Sequence, residues 1–197
     1  MSAVFRRLLP IAAAALVAGS SLLSFGPAHA QSAPADTLAA VALTNADVPG
    51  FVQLPDNTPA AGLPGVSAMF VRSFVSANAG GGALIDGLIE TEQPLPPGVV
   101  VTLFGGSTFV QALAGGGVPV QNFQVLTPLG LGDADQQVAF DLPDQKDDLT
   151  VHFVADIFVR GRVIALVMDG GLQQPDQSQL AAIAQAQDAK LNAAGLR

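Results

Sequence analysis

The chain has 197 residues, of which half are hydrophobic, and it carries a net charge of −8 with no Cys, Trp or Tyr. This acidity argues against nucleic-acid binding, which depends on Lys and Arg side chains that neutralise phosphates. The lack of Cys excludes disulfides, so burial of apolar side chains must hold the fold together.

The first 30 residues have the pattern of a bacterial secretory signal peptide. Arg6 and Arg7 precede an Ala- and Leu-rich run over residues 8–25, and residues 28–30 (Ala-His-Ala) match the A-x-A pattern that signal peptidase cleaves. We therefore predict a mature chain that begins at Gln31 and is secreted or held at the exterior of the cell envelope, in the periplasm if the host has an outer membrane. No apolar run after residue 30 is long enough to span a bilayer, so no integral membrane segment is expected after cleavage.

The remaining 167 residues suit one domain with its own core. All 16 acidic residues follow residue 30 and two of the eight basic residues precede it, so cleavage leaves a net charge of −10. The predicted organisation is a polar tail over residues 31–36 and a single globular domain over residues 37–197.

Strands are predicted along most of this domain. Residues 37–43 form a brief helix or strand, and the Pro- and Gly-rich residues 47–65 form a loop laid over the core. The later predicted elements are strands at 66–76, 83–92, 120–126 and 136–141, a strand or helix start at 98–104, and a short helix at 107–114. Alternation in the second strand places Asp86 and Glu90 on a polar face, opposite a buried face of odd-numbered residues.

A hairpin and a helix are predicted at the C-terminal end. Residues 151–159 and 162–169 pair around an Arg160-Gly161 turn, with Ile157 opposite Ile164 on one apolar face. Asp176 and Gln179 resemble a capping box that opens a helix ending at Gly195, and this helix is predicted to cover the Ile157 face. The fold class predicted is α+β, an antiparallel sheet with a C-terminal helix packed on one face.

Little reactive chemistry is present after cleavage. His152 is then the single His, and the predicted register places it opposite Asp169 as a solvent-facing pair, since no Ser is placed near it as a nucleophile. We predict no catalytic residues.

Two acidic clusters contain the carboxylates that calcium binds: Asp133 with Asp135, and Asp144 with Asp147 and Asp148. Neither cluster has the spacing of a calcium-binding loop, and Lys146 lies inside the second, so solvated loops are predicted. No metal and no cofactor is expected.

The hairpin face opposite Ile157 suggests a ligand site. Its apolar members are Val154, Phe158, Val163 and Val167, beside His152 and Asp169. One helix cannot cover both faces, so either further segments close this face or a concave apolar patch stays exposed. The second case predicts a site, between the sheet and the loop of residues 47–65, for an apolar small molecule or an extracellular protein.

The last third of the chain carries the step Leu131-Gly132-Asp133, then Phe-Val-Arg-Gly-Arg-Val-Ile-Ala over residues 158–165, and an Ala-rich helix. Over roughly residues 129–194 it resembles a broad group of uncharacterised exported bacterial α+β proteins, similar to domains of actinobacterial lipoproteins and extracellular sensor domains of membrane kinases. The resemblance implies an α+β domain without known catalytic residues. This chain departs from the lipoproteins by lacking a lipidation Cys and from the sensors by lacking a transmembrane helix.

The sequence therefore favours a secreted, non-enzymatic binding or accessory domain. The alternatives are an extracytoplasmic hydrolase of unknown substrate and a structural protein of surface assembly.

Overall fold

The structure is a computed structural model, and it describes residues 35–56, 65–77, 82–96, 98, 101–102, 120–144 and 149–196. Seven strands form one antiparallel sheet in the order β1-β2-β3-β7-β6-β5-β4. The strands are β1 (Phe51–Gln53), β2 (Val66–Ser76), β3 (Gly82–Thr91), β4 (Gln121–Val125), β5 (Ala134–Asp144), β6 (Leu149–Arg160) and β7 (Val163–Gly171). Two helices are described over their full length, α1 (Ala35–Val41) and α2 (Gln177–Ala193). An antiparallel sheet with a C-terminal helix packed on it confirms the predicted fold class.

The C-terminal helix starts and stops as predicted. The side chain of Asp176 accepts hydrogen bonds from the backbone N–H groups of Ser178 and Gln179, and Gly195 follows the last turn with a φ of 70°. The capping box is only half formed, because the Gln179 side chain donates to the carbonyl of Pro49 at 3.0 Å. This hydrogen bond ties the start of α2 to the loop before β1.

Helix α2 packs on the face of the sheet that contains Val154 and Phe158, where Leu180, Ile183 and Leu191 are buried. The prediction that it covers the Ile157 face was wrong. Both faces of β6 and β7 are apolar, so the side-chain pattern could not show which face receives the helix. Helix α1 and residues 42–48 pack against the same face as α2.

The opposite face carries a second buried cluster. Ile157 lies there with Ile164, and Leu95 packs against the same face. The rings of Phe140 and Phe153 stack with centroids 5.0 Å apart and an interplanar angle of 11°. The sheet is therefore apolar on both sides, which accounts for the high fraction of hydrophobic residues.

The predicted hairpin forms, but its register differs by two residues. The turn is Gly161-Arg162, with Gly161 at a φ of 58°, and Ile157 pairs with Leu166 instead of Ile164. A shift of two keeps every side chain on its predicted face, because the side-chain repeat of a strand is two residues. The shift does change which residues lie opposite one another.

Contacts of the Gly132-Asp133 step explain why the turn lies at Gly161-Arg162. The Asp133 N–H donates to the carbonyl of Val159 at 2.7 Å, and the Asp133 carboxylate accepts from the N–H of Gly161 at 2.7 Å. The Asp135 carboxylate accepts from the N–H groups of Leu129 and Gly130. Both acidic side chains therefore stabilise backbone turns.

The prediction that Asp86 and Glu90 face solvent was wrong. They are 0% and 1% exposed, because the face of β3 that they share with Leu84 and Leu88 is buried. The N–H of Leu43 donates to Asp86, and Arg162 pairs with Glu90. Other predictions lie outside the described residues: the signal peptide, most of the polar tail, the short helix at 107–114, and the loop containing Asp147 and Asp148. Of the strand or helix start predicted at 98–104, residues 98, 101 and 102 are described, and they are helical.

Candidate functional site

The four apolar residues of the predicted ligand site belong to the core. Val154, Phe158, Val163 and Val167 are at most 1% exposed beneath α2. The second face of the hairpin is thus closed by helix and loop segments, and no exposed apolar patch forms at these four side chains. A ligand-binding role for them stays a prediction that the structure does not test.

A cleft of about 250 Å³ lies at the end of the sheet where β3 begins and β7 ends. We call it the terminal cleft. It lies between the sheet and residues 49–51, which lead into β1 within the segment that was predicted as a loop, and the start of α2 forms its third wall. Its polar groups are the carboxylates of Asp169 and Asp176, the hydroxyl of Ser76, the carboxamides of Gln173, Gln174 and Gln179, and backbone at Gly50, Gly82 and Gly171. The lining is therefore more polar than the predicted apolar site. Its volume lies just below the range of about 300–1,000 Å³ that is usual for ligand pockets, so only a very small ligand would fit.

Backbone hydrogen bonds hold the walls of the terminal cleft in place. The Ala77 N–H donates to the carbonyl of Gly50 at 2.9 Å, which fixes the loop before β1 against the end of β2. Gly82 pairs with Gly171 in the sheet register, which joins the start of β3 to the end of β7. Three segments that are distant in sequence thus meet at one edge.

Asp169, one of the predicted site residues, lines the terminal cleft. Burial raises the pKa of its carboxyl group to about 6, and the nearby negative charge of Asp176 adds to the rise, while a hydrogen bond with the Gly170 backbone opposes it. Within the described part of the chain, no Lys or Arg lines the cleft or forms an ion pair with Asp169. Asp169 is therefore a partly buried carboxyl group without a cationic partner.

The floor of the terminal cleft is open at Gly82. A Cβ atom added there would lie 3.5 Å from the carbonyl oxygen of Gly170 and 3.8 Å from Oδ1 of Asp169. Both distances are ordinary contacts, so a small side chain fits and a longer one would extend into the cleft. Two oxygen acceptors also converge on this point.

His152 borders the terminal cleft without lining it. Its predicted pairing with Asp169 was wrong, because the register of β6 and β7 places it opposite Gly171. Its Nδ1 lies 2.7 Å from Oδ1 of Asp141, the residue opposite it on β5, and 3.0 Å from the side-chain nitrogen of Gln174. Asp141 was missed because the sequence does not reveal the register between β5 and β6.

A second polar cluster lies deep under α1. Arg72 donates to the carbonyl of Leu43 at 2.8 Å, and the N–H of Leu43 donates to Asp86 at 2.7 Å, so the two side chains bind both backbone groups of Leu43. Arg72 also forms a bidentate ion pair with Asp56. Burial raises the pKa of Asp86 to about 7, although the hydrogen bond from Leu43 and the charge of Arg72 oppose the rise. This cluster anchors the segment after α1 to the sheet.

Comparisons with known proteins place the fold. No protein-family model matches the chain, and no curated protein matches it significantly. Among solved structures, it is similar to the extracellular domain of PknH, a kinase from Mycobacterium tuberculosis, with a TM-score of 0.52. The two share 13% identity, and the match covers 83% of this chain and 98% of that domain. The predicted resemblance to extracellular kinase sensor domains is thereby confirmed for the fold. Neither described helix is long and apolar enough to cross a membrane.

Proposed function

We propose that the mature protein works outside the cytoplasm as a non-enzymatic binding domain, and that the terminal cleft is where it binds a small molecule. The export pattern of residues 1–30 and the fold shared with an extracellular domain support the location. The observation that carries the proposal is the terminal cleft itself, whose walls are fixed by hydrogen bonds and whose lining holds the carboxyl group of Asp169, which pairs with no Lys or Arg of the described residues.

The chemistry of the terminal cleft favours binding over hydrolysis. Hydrolysis by a pair of carboxyl groups needs a second acid that is available beside the first. The other carboxylate of the cleft, Asp176, accepts hydrogen bonds from the backbone of Ser178 and Gln179. His152 is held by Asp141 at the border of the cleft.

The export half of the proposal predicts the N-terminus of the secreted protein. Intact-mass analysis of protein recovered from the culture medium is expected to give a chain that begins at Gln31. A soluble secreted product that still carries residues 1–30 would contradict the predicted cleavage.

The binding half predicts that Gly82→Leu blocks the terminal cleft. The new side chain enters the space beside Asp169, while its Cβ makes only ordinary contacts, so the fold is expected to persist. Native mass spectrometry of the secreted protein is expected to show a bound small molecule on the parent and none on Gly82→Leu.

Gln177→Leu is the matched control. It adds the same side chain to the exposed first turn of α2, outside the cleft lining, and is expected to keep the ligand. A ligand retained by Gly82→Leu would place the binding site elsewhere. A parent protein that carries no bound molecule, and that is not stabilised thermally by any member of a metabolite panel, would contradict the binding function.

A further inference from the structure

We propose that the terminal cleft takes a small organic cation of the alkylammonium class, with the carboxylate of Asp169 as its counter-ion. This inference rests on the proposed function and names the ligand chemistry of the same site.

The charge of the terminal cleft selects the sign of the ligand. Its described lining has two carboxylates and no Lys or Arg, so an anion would be repelled. The carboxylate of Asp176 already has favourable partners, because it accepts hydrogen bonds at the cap of α2 and lies at the positive end of the helix dipole. Asp169 is left as the carboxylate that a cation can neutralise.

Several buried or half-buried acidic side chains have a cationic partner: Asp188 pairs with Arg160, Asp47 with Lys190 and Glu90 with Arg162. Asp86 and Asp156 form no ion pair among the described residues, but they lie inside the protein and accept hydrogen bonds from the Leu43 N–H and the Gln137 side chain. Asp169 instead lies at the accessible terminal cleft, with no ion pair among the described residues. Withdrawing a carboxylate from water without such a partner is costly. A ligand cation would supply the missing partner at Asp169.

The acceptor geometry suits an ammonium group. The carbonyl of Gly170 and the carboxylate of Asp169 converge on the open space above Gly82. A primary ammonium group has three N–H donors, and a carbonyl oxygen that already accepts one bond retains a second lone pair. The ammonium group can thus bridge both oxygens.

The donor set favours an organic cation over a metal ion. Calcium takes about six to eight oxygen ligands, several of them usually carboxylates. In the part of the chain that the structure describes, no group of three or more acidic or His side chains could hold a metal. A single free carboxylate with one neighbouring carbonyl matches an ammonium group better.

Calorimetric titration of the mature protein tests this inference, with 1,4-diaminobutane as the probe and 1,4-butanediol as its neutral match. At pH 7.5 and about 0.15 M salt, which screens the net charge of the protein, we expect the diamine to bind at least about tenfold more tightly than the diol. Asp169→Asn is expected to remove that preference. Glu92→Gln removes one negative charge roughly 30 Å away, beyond the far end of β3, and is expected to bind like the parent.

The outcomes separate this inference from the proposed function. Equal binding of diamine and diol by the parent, or unchanged diamine binding by folded Asp169→Asn, would overturn the counter-ion role. Calcium binding by a protein that ignores the diamine would also overturn it. If the diamine fails to bind while Gly82→Leu still loses the co-purified ligand, the cleft remains a binding site and only its ligand class is wrong.

Discussion

Gly132→Ala is expected to lower the free energy of unfolding by about 3 kcal/mol or more, measured by urea denaturation. A Cβ atom at residue 132 would clash with the carbonyl oxygen of Val159, and Gly132 has a φ of 57° that side chains rarely adopt. The same carbonyl accepts the N–H of Asp133, so relieving the clash would disturb the contact that fixes the β6 and β7 turn.

Gly130→Ala separates the clash from the backbone strain. Gly130 has a φ of 76°, but nothing lies within 4 Å of an added Cβ atom. Its substitution is expected to cost about 1 kcal/mol from backbone strain alone. Equal losses of unfolding free energy in the two variants would show that Gly132 does not lie as close to the Val159 carbonyl of β6 as described.

The second large effect concerns pH: the protein is expected to become more stable when the pH is lowered from 8 to 5. Burial raises the folded-state pKa of Asp86 to about 7, and of Asp156 and Asp169 to about 6, above the value of 3.8 for exposed Asp. A raised carboxyl pKa means that the folded state binds protons more tightly than the unfolded chain does. The resulting stabilisation is fully present below the unfolded pKa and is lost as the pH rises through the folded one.

Below about pH 4, the stability of the protein is expected to fall again. Asp47 and Asp56 have lowered pKa values, Asp47 through its hydrogen bonds with Lys190 and Thr44, which outweigh desolvation, and Asp56 through its hydrogen bond with Arg72. Their stabilisation is lost as the pH falls below about 4. Maximum stability is therefore expected between about pH 4 and 6.

Asp86→Asn tests which group dominates this pH dependence. Free energies of unfolding are measured at several pH values. Between pH 5 and 8, the free energy of unfolding of Asp86→Asn is expected to change less than that of the parent, by an amount on the order of a few kcal/mol. Glu92→Gln changes the net charge equally without removing a buried carboxyl group, so it should keep the parent slope. A parent protein whose stability is flat or rises from pH 5 to 8 would contradict the description of these three carboxyl groups.

Local signals predicted much of the fold. β2 occupies the predicted residues, and α2 begins after the predicted cap at Asp176, because strand composition and helix caps are properties of neighbouring residues. The hairpin was predicted, but its turn was placed one residue early. The contact between Asp133 and Gly161 that holds the turn spans 28 residues and leaves no local signal.

The candidate site was harder to predict, since its walls come from segments far apart in the chain. Asp169 and His152 were among the predicted site residues; Asp169 lines the terminal cleft and His152 lies beside it. The apolar residues chosen with them face the helices, because an apolar strand face shows that it is buried without showing what covers it. The burial of Asp86 was missed because a carboxyl group in an alternating strand is usually solvent-facing.

Chemical-shift mapping by NMR tests the central claim most directly. With the labelled mature protein, addition of 1,4-diaminobutane is expected to shift the backbone amides of Gly50, Gly82 and Gly171, which surround the terminal cleft. The amides of β4, at the opposite edge of the sheet, are expected to stay in place. Shifts concentrated on β4, or none at the three glycines at saturating diamine, would contradict binding in the terminal cleft.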